Sequence, residues 1–232
     1  MVDTLLSGTV ALVTGASGGI GAATARRLAR EGAAVAAVAR RPDRLTGVVE
    51  DVTALGGHAV AVQADLTDPD QAERAVQDAL DRFGRIDMLV NNAGVMLLGT
   101  ALHTTLEEWN RMVALNVSAV LHVTHAAVPH LIDAAATSPR EVADIVNVSS
   151  TAGRVAQPGA SVYTLTRFGL TGFTESLRQE LLEERVRVGL VAPGAPAGPL
   201  LAEEVADAVL YMVSRDGRVA VSEMLVRTAG RN

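Results

Sequence analysis

The segment Thr14-Gly15-Ala16-Ser17-Gly18-Gly19-Ile20-Gly21 stands between a short apolar run, residues 9–13, and a helical stretch, residues 22–30, that Gly32 stops. Each glycine answers a physical demand. Gly15 allows a tight turn out of the strand. Gly19 removes a Cβ where backbone approaches a pyrophosphate, and Gly21 lets the helix pack close to the sheet. The helix N-terminus then offers free N–H groups and the positive end of its dipole to phosphate oxygens. Glycines also serve ordinary turns, so the position of this one, in the first strand-to-helix connection, carries the reading of a dinucleotide site.

Working outward, the alternation persists. Residues 33–39 form a continuous apolar run suited to a strand buried on both faces. An amphipathic helix follows over 43–55, a strand over 58–63, and a helix over 68–83 with an acidic first turn. Further strands are predicted at 88–90, 145–148, 186–191 and 221–226, with helices at 106–131, 161–184 and 203–214. Strand–helix alternation of this kind gives an α/β class, a doubly wound, mostly parallel sheet covered on both faces. No linker, repeat or low-complexity tract divides residues 1–232, so one domain is expected. Ligands then belong at the carboxyl ends of the strands.

Composition narrows the chemistry. All 20 basic residues are arginine, and the absence of lysine excludes Schiff-base and P-loop lysine mechanisms. The absence of cysteine excludes disulfides, zinc–thiolate sites and thiol nucleophiles. A net charge of −6 argues against nucleic acid or an anionic membrane as the main partner. The first ten residues lack a basic segment followed by an apolar core, and 33–39 is too short to span a bilayer, so a cytoplasmic protein is expected. The 39 alanines, with abundant Gly, Val and Arg, fit GC-rich coding. His103, His122, His125 and His130 are scattered without carboxylate partners, and no metal is expected. Trp109 and Met112 read as packing residues.

The spacing G-x-x-x-G-x-G, with Asn91-Asn92-Ala93-Gly94 after the fourth strand, resembles the short-chain dehydrogenase/reductase family. Asp65, Asn116, Ser149-Ser150, Tyr163 and Pro193-Gly194 extend the resemblance over residues 8–227. It implies a Rossmann-type fold and a nicotinamide cofactor held by Gly15, Ser17, Gly18, Gly19, Ile20, Gly21, Asp65, Leu66, Asn92, Ala93, Gly94, Tyr163, Arg167, Pro193 and Gly194. The tip of the second strand, Val38-Ala39-Arg40-Arg41, carries no carboxylate to grip ribose hydroxyls. An arginine there can hold a 2′-phosphate bidentately, so the cofactor is expected to be NADP(H) rather than NAD(H), with Arg40 the main contact and Arg41 assisting. A solvated pair of arginines is the plainer alternative. Asp65 serves equally as a cap for the turn before Asp68-Pro69.

The resemblance implies that Tyr163 trades a proton with a substrate oxygen while hydride moves to or from the nicotinamide. Ser150 would hydrogen-bond that oxygen, and Asn116 would hold a relay water. A tyrosine hydroxyl ordinarily titrates near ~10 and needs a nearby cation. The family places a lysine four residues on, and this chain has Arg167, which keeps the charge but is planar and cannot release a proton. A second departure is the run 195–200, which lacks the family's threonine and long substrate lid. A third is the polar, alanine-rich stretch 134–144, read as a surface extension. Val95, Met96, Leu97, Arg154 and Val155 are expected at an apolar pocket mouth. Three functions stay open: an NADP(H)-dependent reductase or dehydrogenase acting on a small, largely apolar substrate, a non-redox isomerase, dehydratase or cyclase, and a catalytically impaired nucleotide-binding subunit. Family members pair the helices at 106–131 and 161–184 between subunits, so a homodimer or homotetramer is expected, with Gly169, Thr171, Gly172 and Thr174 permitting close approach.

Overall fold

The computed structural model describes residues 4–138, 140–194 and 202–229. Seven strands, β1 (Val10–Thr14), β2 (Ala34–Ala39), β3 (Ala59–Gln63), β4 (Met88–Asn91), β5 (Ala143–Val148), β6 (Val186–Pro193) and β7 (Glu223–Val226), form one sheet in the order β3-β2-β1-β4-β5-β6-β7. Every pairing is parallel, so the expected doubly wound sheet is present without an antiparallel edge. Helices α1 (Gly19–Arg30), α2 (Pro42–Ala54), α3 (Pro69–Phe83), α4 (Leu106–Val113), α5 (Ala119–Thr137), α6 (Ser161–Glu180) and α7 (Ala202–Val213) cover it. One apolar cluster packs α1, α2 and α7 on one face; the other packs α3 and α5 on the opposite face. Leu12, Leu89 and Ile145 on the second face are fully buried, each worth about 1.5–3 kcal/mol in apolar transfer. The order reverses between β1 and β4, which opens a crevice above the carboxyl end of β1.

Three expectations need correction. The helix predicted at 106–131 is present and runs on to Thr137, but it contains a π-helical turn, Ala114–Ser118, between α4 and α5, which carries the fully buried Asn116. The stretch 134–144 is not a surface extension, since α5 runs to Thr137 with Ala134 and Ala135 buried, and Ala143 and Asp144 are already in β5. Alanine in that stretch is core packing on a helix, not a polar loop. The helix predicted at 161–184 stops at Glu180, because a turn ending in Arg185, at φ 58°, feeds β6. The run 195–200, with its missing threonine and lid, lies outside the described residues.

Polar groups tie the layers together. Asn91 and Asn147 face each other in register on β4 and β5, and Asn91 Nδ2 donates to Asn147 Oδ1 at 2.9 Å. Asn91 also donates to Thr124 of α5 and Asn147 to Thr174 of α6, at 2.9 and 2.8 Å. At the opposite end of the sheet, buried Asp144 is clamped by Arg140 and Arg187, at 2.8 and 2.7 Å. The span Leu106–Thr137 is long and apolar enough, at a mean hydropathy of 1.4, to cross a membrane by length and composition alone. It carries buried Asn116, and Val123, Ala127 and Leu131 pack it on the sheet.

Candidate active site

Two clefts open at the carboxyl ends of the strands. The first, of about 800 Å³, is lined by Gly15, Ser17, Gly18, Gly19, Ile20, Arg40, Arg41, Asp65, Leu66, Asn92, Ala93 and Gly94 among others. Eleven sequence-predicted cofactor residues beyond Gly15 therefore share one wall system. Gly21 stands behind it: a Cβ there would come within 2.5 Å of Asn92 Nδ2 and closer still to Gly15 O. Its hydrogen lets α1 seat its first turn on the Gly15 turn and the β4 loop. Thr14, which sequence reasoning missed, knits that junction, because its Oγ1 accepts from Asn92 N at 2.9 Å and Ala93 N at 3.1 Å.

The cleft suits a dinucleotide. A Cβ on Gly18 or Gly19 would meet no protein atom within 4 Å and would jut into open space. α1 begins at Gly19 with no side-chain cap and no acidic residue in its first turn, so its N–H groups and dipole are unspent. The tip of β2 adds charge on the same wall. Arg41 Nη2 donates to Ser17 Oγ at 3.3 Å, and Arg40 Nη1 lies 4.0 Å from Asp65 Oδ2. Asp65 does serve its turn, accepting from Thr67 N at 3.1 Å and Thr67 Oγ1 at 2.8 Å.

The second cleft, of about 730 Å³, is lined by Ser150, Tyr163, Gly194 and Arg227, with Met96, Leu98, Val155 and Pro158 supplying apolar wall. Ser150 caps the short turn Thr151–Gly153 by accepting from Ala152 N at 3.2 Å. That bond uses an oxygen lone pair and leaves the hydroxyl proton free to donate. Tyr163 is 7% exposed, and its hydroxyl has no protein partner among the described residues. Of the expected mouth residues, Met96 and Val155 line this cleft, but Val95 and Leu97 do not. Arg154 is drawn away by Glu223 of β7.

Arg167 lines neither cleft, nor does Pro193. The guanidinium of Arg167 is 6% exposed and stacks 5.0 Å from the Tyr163 ring centroid. Its Nη1 donates to Val148 O at 3.2 Å, its Nε is buried without an acceptor, and no carboxylate pairs with it among the described residues. Its Nη2 sits 2.7 Å from where a Cβ of Gly94 would stand. Asn116 spends both amide protons, on Val95 O at 2.9 Å and Thr166 Oγ1 at 3.2 Å, while its Oδ1 accepts from Val95 N at 2.8 Å. Thr166 in turn donates to Tyr163 O at 2.7 Å. Asn116 thus pins the β4 loop to the Tyr163 helix, a positioning role invisible in its sequence position alone.

A parallel sheet with a glycine-turn nucleotide crevice and a Ser–Tyr cleft beside it defines a class of oxidoreductase, and comparison with known proteins gives the family. Residues 9–208 match the short chain dehydrogenase model, and the chain belongs to the short-chain dehydrogenase family. It is 36% identical to a 3-oxoacyl-[acyl-carrier-protein] reductase of Synechocystis sp., over 90% of this chain and 83% of that protein. It spans only 19% of a glycine betaine reductase of Emericella nidulans, also at 36% identity. The crystal structure of a metagenomic short-chain oxidoreductase in complex with NADP superposes with a TM-score of 0.88 at 38% identity, covering 97% of this chain and 99% of that one. A 3-ketoacyl-(acyl-carrier-protein) reductase of Brucella melitensis complexed with NADH gives 0.88 at 30% identity, covering 96% and 98%.

Proposed function

We propose that this oxidoreductase uses NADP(H) to interconvert a carbonyl and a hydroxyl group on a small, largely apolar substrate. The carrying observation is that Ser150 and Tyr163, each with an unspent hydroxyl proton, line one cleft beside the crevice that fits a dinucleotide. When bound, the nicotinamide supplies or accepts the hydride. Ser150 Oγ–H holds the substrate oxygen, and Tyr163 gives that oxygen its proton in reduction or takes it back in oxidation. Arg40, Arg41 and Ser17 support the choice of NADP(H), since together they offer charge and donors to a phosphate on the adenosine ribose. A relative in complex with NADH keeps the alternative in the test.

Arg167 holds a positive charge over the Tyr163 ring. It cannot pass a proton on, and Asn116 has none to give. Reprotonation of Tyr163 is therefore assigned to water entering the substrate cleft, outside the protein relay. This favours a second reading, non-redox chemistry by Tyr163 and Ser150, should that exchange fail. Titration with NADPH and NADH, followed by turnover of a carbonyl panel, tests both. Tighter NADPH binding with carbonyl reduction supports the proposal; binding without any reduction leaves the non-redox reading and the nucleotide-binding subunit, and absence of NADP(H) binding sinks the NADP(H)-dependent reading outright.

We assign the protein to the cytoplasm and to a homodimer or homotetramer. Leu165 and Phe168 on α6, at 64% and 45% exposure, flank Gly169 and Gly172, at which a Cβ would meet open space. Thr174 does not belong to this face, being buried against Asn147.

A further inference from the structure

Among the described residues lining the substrate cleft there is no carboxylate, and Arg227 is the one formal charge. Several arginines elsewhere on this chain are matched, such as Arg154 by Glu223, Arg27 by Glu31 and Asp207, and Arg187 by Asp144. Arg227 has no acidic partner among the described residues. Its position is fixed by the sheet. It follows directly on the last pair of the β6–β7 ladder, Pro193↔Val226, and Gly194 N donates to Val226 O at 2.7 Å just beside it. A Cβ on Gly194 would lie 2.9 Å from Arg227 Cγ, so the aliphatic stem rests flat on that glycine. A rigid strand end thus presents an unmatched guanidinium to the cleft that holds Ser150 and Tyr163. The same cleft has apolar wall from Met96, Leu98, Val155 and Pro158, beside Thr100, Thr151 and Gln157.

We propose that Arg227 is a specificity-determining residue that binds a carboxylate on the substrate, so that the preferred substrates are oxo acids with a short apolar body between carbonyl and carboxylate. The inference rests on the reductase reading above and adds the chemical class of the substrate. A guanidinium fork, here on exposed Arg227 at the cleft edge, matches a carboxylate with two parallel charge-assisted hydrogen bonds. A neutral ketone of the same length leaves that fork to water and gains only the apolar contact. Arg227 does not line the first cleft, which separates this role from phosphate binding by the cofactor site.

The test uses the full chain with saturating NADPH. A straight-chain oxo acid of about six carbons is compared with its methyl ester, in wild type, Arg227→Gln and Arg227→Lys. The acid is expected to exceed the ester in kcat/KM, and Arg227→Gln to lower the acid's value roughly 10- to 100-fold, mainly through KM, while moving the ester by less than about 3-fold. Arg227→Lys should recover part of the loss, as a point charge without the fork. Binding of hexanoate in the presence of NADP, followed by calorimetry, gives a readout independent of turnover, and its Kd should weaken about 10-fold or more in Arg227→Gln. Equal use of acid and ester by the wild type overturns the proposal and leaves the reductase reading standing. So does a variant that loses both substrates alike, or one that loses NADPH affinity. Should neither carbonyl be reduced, the reductase reading falls, and the hexanoate isotherm still decides: Arg227-dependent binding upholds the carboxylate site, and unchanged binding removes it.

Discussion

Gly94→Ala puts a methyl group into the one place where the unusual arginine rests. Its Cβ would stand 2.7 Å from Arg167 Nη2 and 3.2 Å from Asn116 Oδ1. The first distance is about 1 Å shorter than an optimal non-bonded pair. Asn116 cannot retreat, because its three hydrogen bonds fix the carboxamide, so the guanidinium must move. Its bond to Val148 O is already 3.2 Å long, and a retreat breaks it. Overpacking of this kind costs about 1–3 kcal/mol, with the lost charged hydrogen bond included in the upper part of that range. At a urea slope near ~2 kcal/mol/M the unfolding midpoint falls by about 0.5–1.5 M.

The close approach implies a coupling as well as a loss. Arg167→Lys removes the branch that the new methyl meets, so Gly94→Ala should cost less in the lysine background. A double-mutant cycle by urea unfolding, at one protein concentration, should return an interaction of about 1–2 kcal/mol with the double variant more stable than additivity predicts. Additivity within about 0.5 kcal/mol would refute the reasoning, because it would mean that the guanidinium does not occupy the space beside Gly94. The slope should stay constant across the four proteins; a changed slope would transfer the effect to the unfolded state.

Other outcomes follow from the same geometry. Tyr163→Phe should lower kcat by about 10²-fold or more while leaving NADPH affinity within about 2-fold, since the hydroxyl lines the substrate cleft and not the nucleotide crevice; steady-state kinetics with a binding titration checks both. Replacing Arg40 and Arg41 together by Gln should shift the NADPH-to-NADH ratio of kcat/KM roughly 10- to 100-fold toward NADH, and an unmoved ratio would remove them from phosphate recognition. Asp144→Ala leaves half-buried Arg140 and Arg187 without this counter-ion, and thermal unfolding should show a loss of about 3 kcal/mol. Asp68 caps α3, and its hydrogen bonds from the Gln71 side chain and backbone hold its carboxyl below the ordinary 3.8. A depressed value adds stability that is complete above about 3.8 and is lost as the pH falls below it, so Asp68→Asn should lower the neutral plateau modestly, leave the acid end unchanged and thereby flatten the limb between them.

The glycine turn and the apolar strands were legible because they rest on local rules: a cap, a period, a residue without a Cβ. The nucleotide wall was legible for the same reason, since Gly15 through Ile20, Arg40 and Asn92 through Gly94 all sit at strand ends, and a parallel sheet gathers strand ends together. The π turn at 114–118 left no such mark. Its cause is tertiary: Asn116 is reoriented to bond Val95 and Thr166, residues 21 and 50 positions away. The same holds for 134–144, where alanine looked like a solvated spacer until helix α5 proved to bury Ala134 and Ala135. Arg227 was missed because it carries no motif. Only the register of β6 against β7 places it beside Gly194 and Tyr163.

Arginine at 167 is longer than the lysine the family places there, and the fold accommodates the extra length in a specific way. The side chain crosses the Tyr163 ring and ends between Val148 O and Gly94, not in the nucleotide crevice. Gly94 therefore lacks a side chain where one would meet the guanidinium and the Asn116 carboxamide. The arrangement keeps a full positive charge beside the tyrosine, with stacking worth about 2 kcal/mol when desolvated. It leaves Nε buried without an acceptor, a cost of about 1–3 kcal/mol. These terms nearly cancel, so stability alone does not explain the residue. Its contribution lies in the charge it holds over the Tyr163 ring, and a charge that never leaves cannot pass a proton on. Proton supply then becomes the property of the substrate cleft, and the rate of turnover should respond to what that cleft admits.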